Sequence, residues 1–84
     1  MTYRVVVASA AQRDYRRLPP EVKRRIRDAV LELAEDPRGP SQKLAGDDLY
    51  RSRVGDYRIV FRIDDTIREV LVARIRHRRD PYRR

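Results

Sequence analysis

Eighty-four residues suffice for one hydrophobic core and hence one domain, 1–84. Twenty-one Lys and Arg against thirteen Asp and Glu give a formal net charge of +8, which calls for a polyanionic or an acidic protein partner. With no cysteine and a single histidine, His77, disulfides, thiol nucleophiles and His/Cys metal clusters are excluded, and no metal or other cofactor is expected.

Thr2 to Ala8 is short and β-branched and reads as a strand. Ser9 and Gln12 match a capping box, predicting a short helix from about Ala10 to Arg17 that Pro19 and Pro20 stop. Pro20 suits the first turn of a second helix, where its missing N–H costs nothing. Val22, Ile26, Ala29, Val30 and Leu33 then recur at helical spacing, up to Glu35. Asp36 to Pro40 is loop by composition, Ser41 to Asp48 is ambiguous, and Gly46-Asp47-Asp48 looks like a turn.

Leu49 to Val54 is a candidate strand, followed by a tight hairpin turn at Gly55-Asp56. Tyr57, Ile59, Phe61 and Ile63 alternate with Arg58, Val60 and Arg62, so the next strand has an apolar and a cationic face. Asp64-Asp65 is a second turn, Thr66 to Ile75 a third strand, and Arg76 to Arg84 a basic tail. The expected class is α+β, in the order β-α-α-β-β-β, with an antiparallel-dominated sheet and two N-terminal helices packed on one face. The other face then meets solvent, and Arg51, Arg53, Arg58 and Arg62 form a cationic surface on it. Arg76, Arg78, Arg79, His77 and Tyr82 are expected at its rim. The apolar runs are too short to span a bilayer, and no basic-then-apolar leader opens the chain. A cytoplasmic protein without membrane contact is expected.

Nearly all of the positive charge is arginine, because Lys23 and Lys43 are the only lysines. Guanidinium grips phosphate in two places and stacks on bases, but this charge does not choose between a polyanion such as RNA and an acidic protein partner. RNA carries its own nucleophile in the 2′-hydroxyl. Cleavage without a metal needs a proton acceptor there, positive charge on the phosphorane-like transition state, and help for the departing 5′-oxygen. Preorganised donors contribute roughly 3–4 kcal/mol each to such a transition state. Guanidinium hardly deprotonates, so the proton is left to a tyrosine with a depressed pKa or to His77, whose ordinary pKa lies near neutrality. Arg13, Arg16, Arg17, Arg24 and Arg38 read as solvated surface charge.

Three segments, Lys43 to Gly46, Leu49 to Phe61 (LYRSRVGDYRIVF) and Ile75 to Tyr82 (IRHRRDPY), resemble the RelE branch of the RelE/ParE toxin superfamily. With the opening strand, Leu18-Pro19 and the amphipathic helix, the likeness covers nearly the whole chain. It implies the toxin of a type II toxin–antitoxin system: a metal-independent endoribonuclease that cleaves messenger RNA in the ribosomal A site and inhibits translation. The implied partners are the ribosome with its mRNA and a RelB-like antitoxin, whose acidic segment wraps the toxin. Arg51 and Arg53, where relatives often carry lysines, match positions that contact the substrate phosphate. Arg58 matches a phosphate-binding arginine, Arg78 the group at the leaving oxygen, and Tyr82 the tyrosine that activates the nucleophile. Arg62, Arg76 and Arg79 add phosphate-binding charge, and Tyr82 or His77 moves the proton. The alternatives are a ParE-like gyrase inhibitor, which typically has a longer helical hairpin, and a catalytically inert RNA- or ribosome-binding module. A DNA-binding domain ranks last, because no recognition helix is evident.

Overall fold

The structure, a computed structural model, describes residues 2–39, 41–44 and 48–79. Its elements are β1 (Arg4–Val7), α1 (Ser9–Arg16), α2 (Pro20–Glu35), β2 (Gln42–Lys43), β3 (Leu49–Val54), β4 (Tyr57–Asp64) and β5 (Glu69–His77). The strands form one sheet in the order β1-β5-β4-β3-β2, in which only the β1–β5 pair is parallel. This is the expected α+β arrangement with one addition. The ambiguous stretch after the Asp36 loop contributes β2, an edge strand of two residues. Among the described residues, no helix is long and apolar enough to cross a membrane.

Both helices begin close to the expected positions, for partly different reasons. Pro20 occupies the first turn of α2 as its sequence requires. The capping box of α1 does not form. Ser9 is already helical behind the N-cap residue Ala8, no side chain caps the end, and Gln12 Nε2 donates instead to the Val7 carbonyl at 3.0 Å. Gln12 therefore ties the start of the helix to the end of β1.

The apolar faces of α1, α2 and the sheet meet in a core of Ala11, Ile26, Leu33, Ile59, Phe61, Val70, Val72 and Ile75. On β4, the alternation holds for Ile59 and Phe61, which point into this core. Val60, on the opposite face, is nevertheless only 5% exposed. Its cross-strand neighbours are Arg51 and Arg74, long side chains whose stems can cover an apolar residue.

The last strand departs from the expected Thr66 to Ile75 at both ends. Asp64 Oδ1 accepts the N–H groups of Thr66 and Ile67 at 3.0 and 3.3 Å, holding them in a turn that closes through Arg68 at φ 52°. β5 thus starts at Glu69, and it runs on through Arg76 and His77. The register carries a bulge: Val60 pairs with Arg74 but Phe61 with Val72, so Ala73 is the extra residue. A bulge flips the parity of the residues beyond it. Val70 and Val72 face the helices, and beyond Ala73 so do Ile75 and His77, while Arg76 is the cross-strand partner of Arg58.

Beyond Val72, β1 no longer covers β5, and α1 takes its place. Asp14 Oδ2 accepts the Ile75 N–H at 2.9 Å, and two hydrogen bonds reach the carboxylate from Arg74, at 2.8 and 3.1 Å. Burial pushes the Asp14 carboxyl up, but the bonds from Arg74 and Ile75 and the charges of Arg74 and Arg76 outweigh it and hold it below the ordinary range. A carboxylate depressed in the folded state stabilises the fold above its unfolded pKa, and that contribution is lost as pH falls through the folded value. Asp14→Asn is expected to lower stability at pH 7 by about 1–3 kcal/mol and to flatten the loss of stability below about pH 4. Urea unfolding across pH checks both.

Candidate active site

The hairpin of β3 and β4 sets the site. Gly55-Asp56 is a two-residue turn, with Val54 and Tyr57 paired across it and Gly55 at φ 58°, a left-handed conformation that glycine adopts without strain. With this register, Arg53 lies opposite Arg58, and Arg58 lies opposite Arg76. Three arginines therefore stand abreast on the sheet face turned away from the helices. Neighbouring strands are about 4.8 Å apart, and like charges placed directly opposite destabilise a sheet.

A cavity of about 240 Å³ opens at this end of the sheet, lined by Arg51, Arg53, Arg58 and Arg78 with Gly55, Asp56 and Tyr57. Arg51 is steadied by a 3.0 Å hydrogen bond from its guanidinium to Gln42 Oε1 on β2. Arg78 is placed by the hairpin turn: its backbone N–H donates to the Asp56 carbonyl at 2.7 Å, and its Nε stands 3.8 Å from Asp56 Oδ1. That ion pair is exposed at both ends and worth little by itself. Arg58 differs from its neighbours, because its Nε is buried with no hydrogen-bond partner among the described residues. A buried unpaired donor costs about 1–3 kcal/mol. Among the described residues, four guanidiniums surround one carboxylate, a site whose electrostatic demand is an anion with several acceptor oxygens.

The other expected site residues lie elsewhere. Arg62 is four residues along β4, about 13 Å from Arg58 by strand rise, beside a separate cavity with Arg38, Lys43 and Asp65. His77 is on the helix side of the sheet, its ring edge-on to Tyr57 at 4.9 Å, and its Nδ1 accepts the Arg79 N–H at 3.1 Å. Arg76 and His77 line a third cavity at the edge of β5. Arg79 is exposed in the turn after β5. Tyr82 lies outside the described residues. Asp56, legible in the sequence only as a turn residue, proves to be the acid of the arginine cavity among the described residues. The available signal for β5 was a mismatch in its apolar spacing: Val70, Val72 and Ile75 cannot share a face of a regular strand.

Residues 5–82 match the family of the ParE toxin of the type II toxin–antitoxin system, parDE. Toxin RelG of Mycobacterium tuberculosis is 39% identical over the whole of both chains. Toxin RelE of the same organism is 33% identical over 96% of this chain and 87% of its own length. A toxin chain in the crystal structure of the Mycobacterium tuberculosis toxin–antitoxin complex RelBE2 superposes with a TM-score of 0.85 at 29% identity, covering 92% of this chain and 99% of that one. Sequence, length and fold agree: the chain belongs to the RelE/ParE superfamily of type II toxin–antitoxin toxins, on its RelE branch.

Proposed function

We propose that this toxin is a metal-independent endoribonuclease that cuts messenger RNA in the ribosomal A site and so stops translation. The observation that carries this reading is the row Arg53–Arg58–Arg76, with the Nε of Arg58 at its centre, buried and without a partner among the described residues. Like charges abreast cost stability until an anion offsets them, and the Arg58 Nε still needs an acceptor, which is what a site built for a phosphodiester supplies.

In the reaction, the 2′-oxygen attacks the adjacent phosphorus, the bond from phosphorus to the 5′-oxygen breaks, and the products are a 2′,3′-cyclic phosphate and a 5′-hydroxyl. The proton leaving the 2′-hydroxyl balances the one the 5′-oxygen acquires. Arg51, Arg53 and Arg58 hold the phosphate oxygens and offset their growing charge. Arg78, tethered to the hairpin through Asp56, stabilises the departing 5′-oxygen. We assign the proton acceptor to Tyr82 rather than His77, because the His77 ring is engaged by Tyr57 and Arg79 on the other side of the sheet. The ribosome positions the message, which converts a floppy substrate into an aligned one.

The same reading gives the toxin a cognate RelB-like antitoxin. A groove of about 540 Å³ between α1 and α2 has an apolar floor that includes Ile26, Val30 and Val72, with Arg16 and Arg27 also among its lining residues. Leu31 beside it is 63% exposed. An apolar groove edged by arginines fits an amphipathic antitoxin segment with acidic flanks. Leu31→Glu is expected to weaken antitoxin binding at least tenfold while leaving cleavage intact, as read by calorimetric titration alongside the cleavage assay.

The nuclease reading is tested by adding the purified toxin to ribosomes programmed with a defined message and mapping new 5′ ends by primer extension. Breaks confined to the A-site codon and dependent on ribosomes are expected. An intact message with translation still running would overturn the reading and direct attention to gyrase supercoiling.

A further inference from the structure

We propose that Arg25, on α2, is a positioning residue that braces the Gly55-Asp56 turn and through it sets Arg78 at the departing 5′-oxygen. The assignment rests on the reading of the chain as an RNA-cutting toxin, and it adds a residue from outside the sheet to that site. Arg25 is exposed in the first half of α2, the helix that packs on β3. Its guanidinium reaches the tip of the β3–β4 hairpin. A Cβ added to Gly55 would stand 3.3 and 3.5 Å from the two terminal nitrogens of Arg25 and 3.6 Å from the carbon between them. The first distance is closer than ordinary van der Waals contact, so a side chain at position 55 would push the guanidinium back. Glycine therefore serves twice here. It takes φ 58° without strain, and it leaves room for Arg25.

Gly55 lines the cavity of Arg51, Arg53, Arg58 and Arg78, and Arg25 does not. Arg25 thus supports the wall of the site and acts on the reaction only through its neighbours. Arg78, just past the end of β5, is fixed to the hairpin by its N–H bond to the Asp56 carbonyl at 2.7 Å and by the Asp56 carboxylate 3.8 Å from its Nε. Both attachments go to the residue next to Gly55, so the direction of the Asp56 peptide decides where Arg78 stands. An exposed turn with glycine has several backbone conformations within reach. A guanidinium seated on Gly55 favours one of them, and misplacing a reacting group by about 1 Å costs up to about 10²-fold in rate.

The test uses ribosomes programmed with two messages, one all-ribose and one with sulfur in place of the scissile 5′-oxygen, a leaving group that departs without stabilisation. Single-turnover cleavage is followed for the wild type, Arg25→Ala, Arg25→Lys, Arg78→Ala and the double variant Arg25→Ala/Arg78→Ala. Arg25→Ala is expected to cut the all-ribose message about 10- to 100-fold more slowly, with the half-saturating ribosome concentration unchanged. In the Arg78→Ala background the same change is expected to cost less than about twofold, because residues that act as a unit are not additive. On the sulfur message, Arg25→Ala is expected to match the wild type. Arg25→Lys keeps the charge without the planar group and is expected to stay slow. Alanine suits a helix at least as well as arginine, so the variant keeps its fold. Hydrogen exchange at the Arg78 amide reads the brace without RNA, and its protection is expected to fall about tenfold in Arg25→Ala. A wild-type rate for Arg25→Ala on the all-ribose message overturns the proposal, as does full additivity with Arg78→Ala or an equal loss on the sulfur message. Full recovery by Arg25→Lys, or a change in half-saturation alone, overturns it too, in favour of a direct charge on the RNA. Wild-type protein that cuts neither message, with Arg78 protection still lost in Arg25→Ala, would sink the nuclease reading and leave the brace standing.

Discussion

Arg58→Ala is expected to slow ribosome-dependent cleavage by about 10²–10³-fold, the usual cost of removing one preorganised donor from a developing negative charge. The position singles itself out among nineteen arginines. It is central in the row Arg53–Arg58–Arg76, and its Nε is buried without a partner among the described residues. A side chain kept for folding would lower stability when truncated. Removing this one relieves like-charge repulsion and an unsatisfied donor, so the melting temperature is expected to hold or rise as cleavage collapses. Arg58→Lys restores the charge without the planar fork and is expected to recover only part of the rate. Single-turnover cleavage on programmed ribosomes, with a thermal melt of the same preparations, reads both effects. A rate within tenfold of wild type would remove Arg58 from the chemistry.

Phe61→Ala is expected to bring the largest loss of stability, about 3–5 kcal/mol. Phe61 is 0% exposed and the largest of the fully buried side chains. Its ring stacks on Tyr50 at 5.8 Å between centroids, and Val72 faces it across the strands. Small domains have only about 5–15 kcal/mol in total, so this truncation leaves the fold near its threshold. Because Phe61 sits on the opposite face of the strand from Arg58, loss of folding and loss of cleavage separate: a Phe61→Leu variant is expected to regain most stability and all activity. Urea unfolding decides it, and a cost below about 1 kcal/mol would show a core far looser than this packing.

Most of the fold was legible because its signals are local. Helical spacing in α2, Pro20 at its start, the Gly55-Asp56 turn and the alternation in β4 each depend on residues within a few positions of one another. The parallel pairing of β1 with β5 joins residues more than sixty positions apart, and nothing in either segment announces it. The two-residue β2 is too short to carry a pattern. The failed capping box at Ser9 lost to a local rival, the bond from Gln12 to Val7.

The site divides along the same line. Arg51, Arg53 and Arg58 follow from strand parity and the hairpin turn, both readable from sequence, and the cavity does gather them with Arg78. By sequence alone, Arg76 and His77 belong to a tail gathered with these arginines at the rim of one face. The Ala73 bulge makes them part of β5 and divides them between its two faces. Arg62 shares the parity of Arg58 but not its cavity, because parity fixes a face and not a position along it.

The measurement closest to the central claim uses ribosomes carrying a message whose A-site codon has a single 2′-deoxynucleotide at the scissile position. Efficient cutting of the all-ribose message is expected, with cyclic phosphate and 5′-hydroxyl ends, and no cutting at the deoxy position. Cleavage of the deoxy message at a comparable rate would contradict attack by the 2′-hydroxyl, and with it the role given to the arginine row.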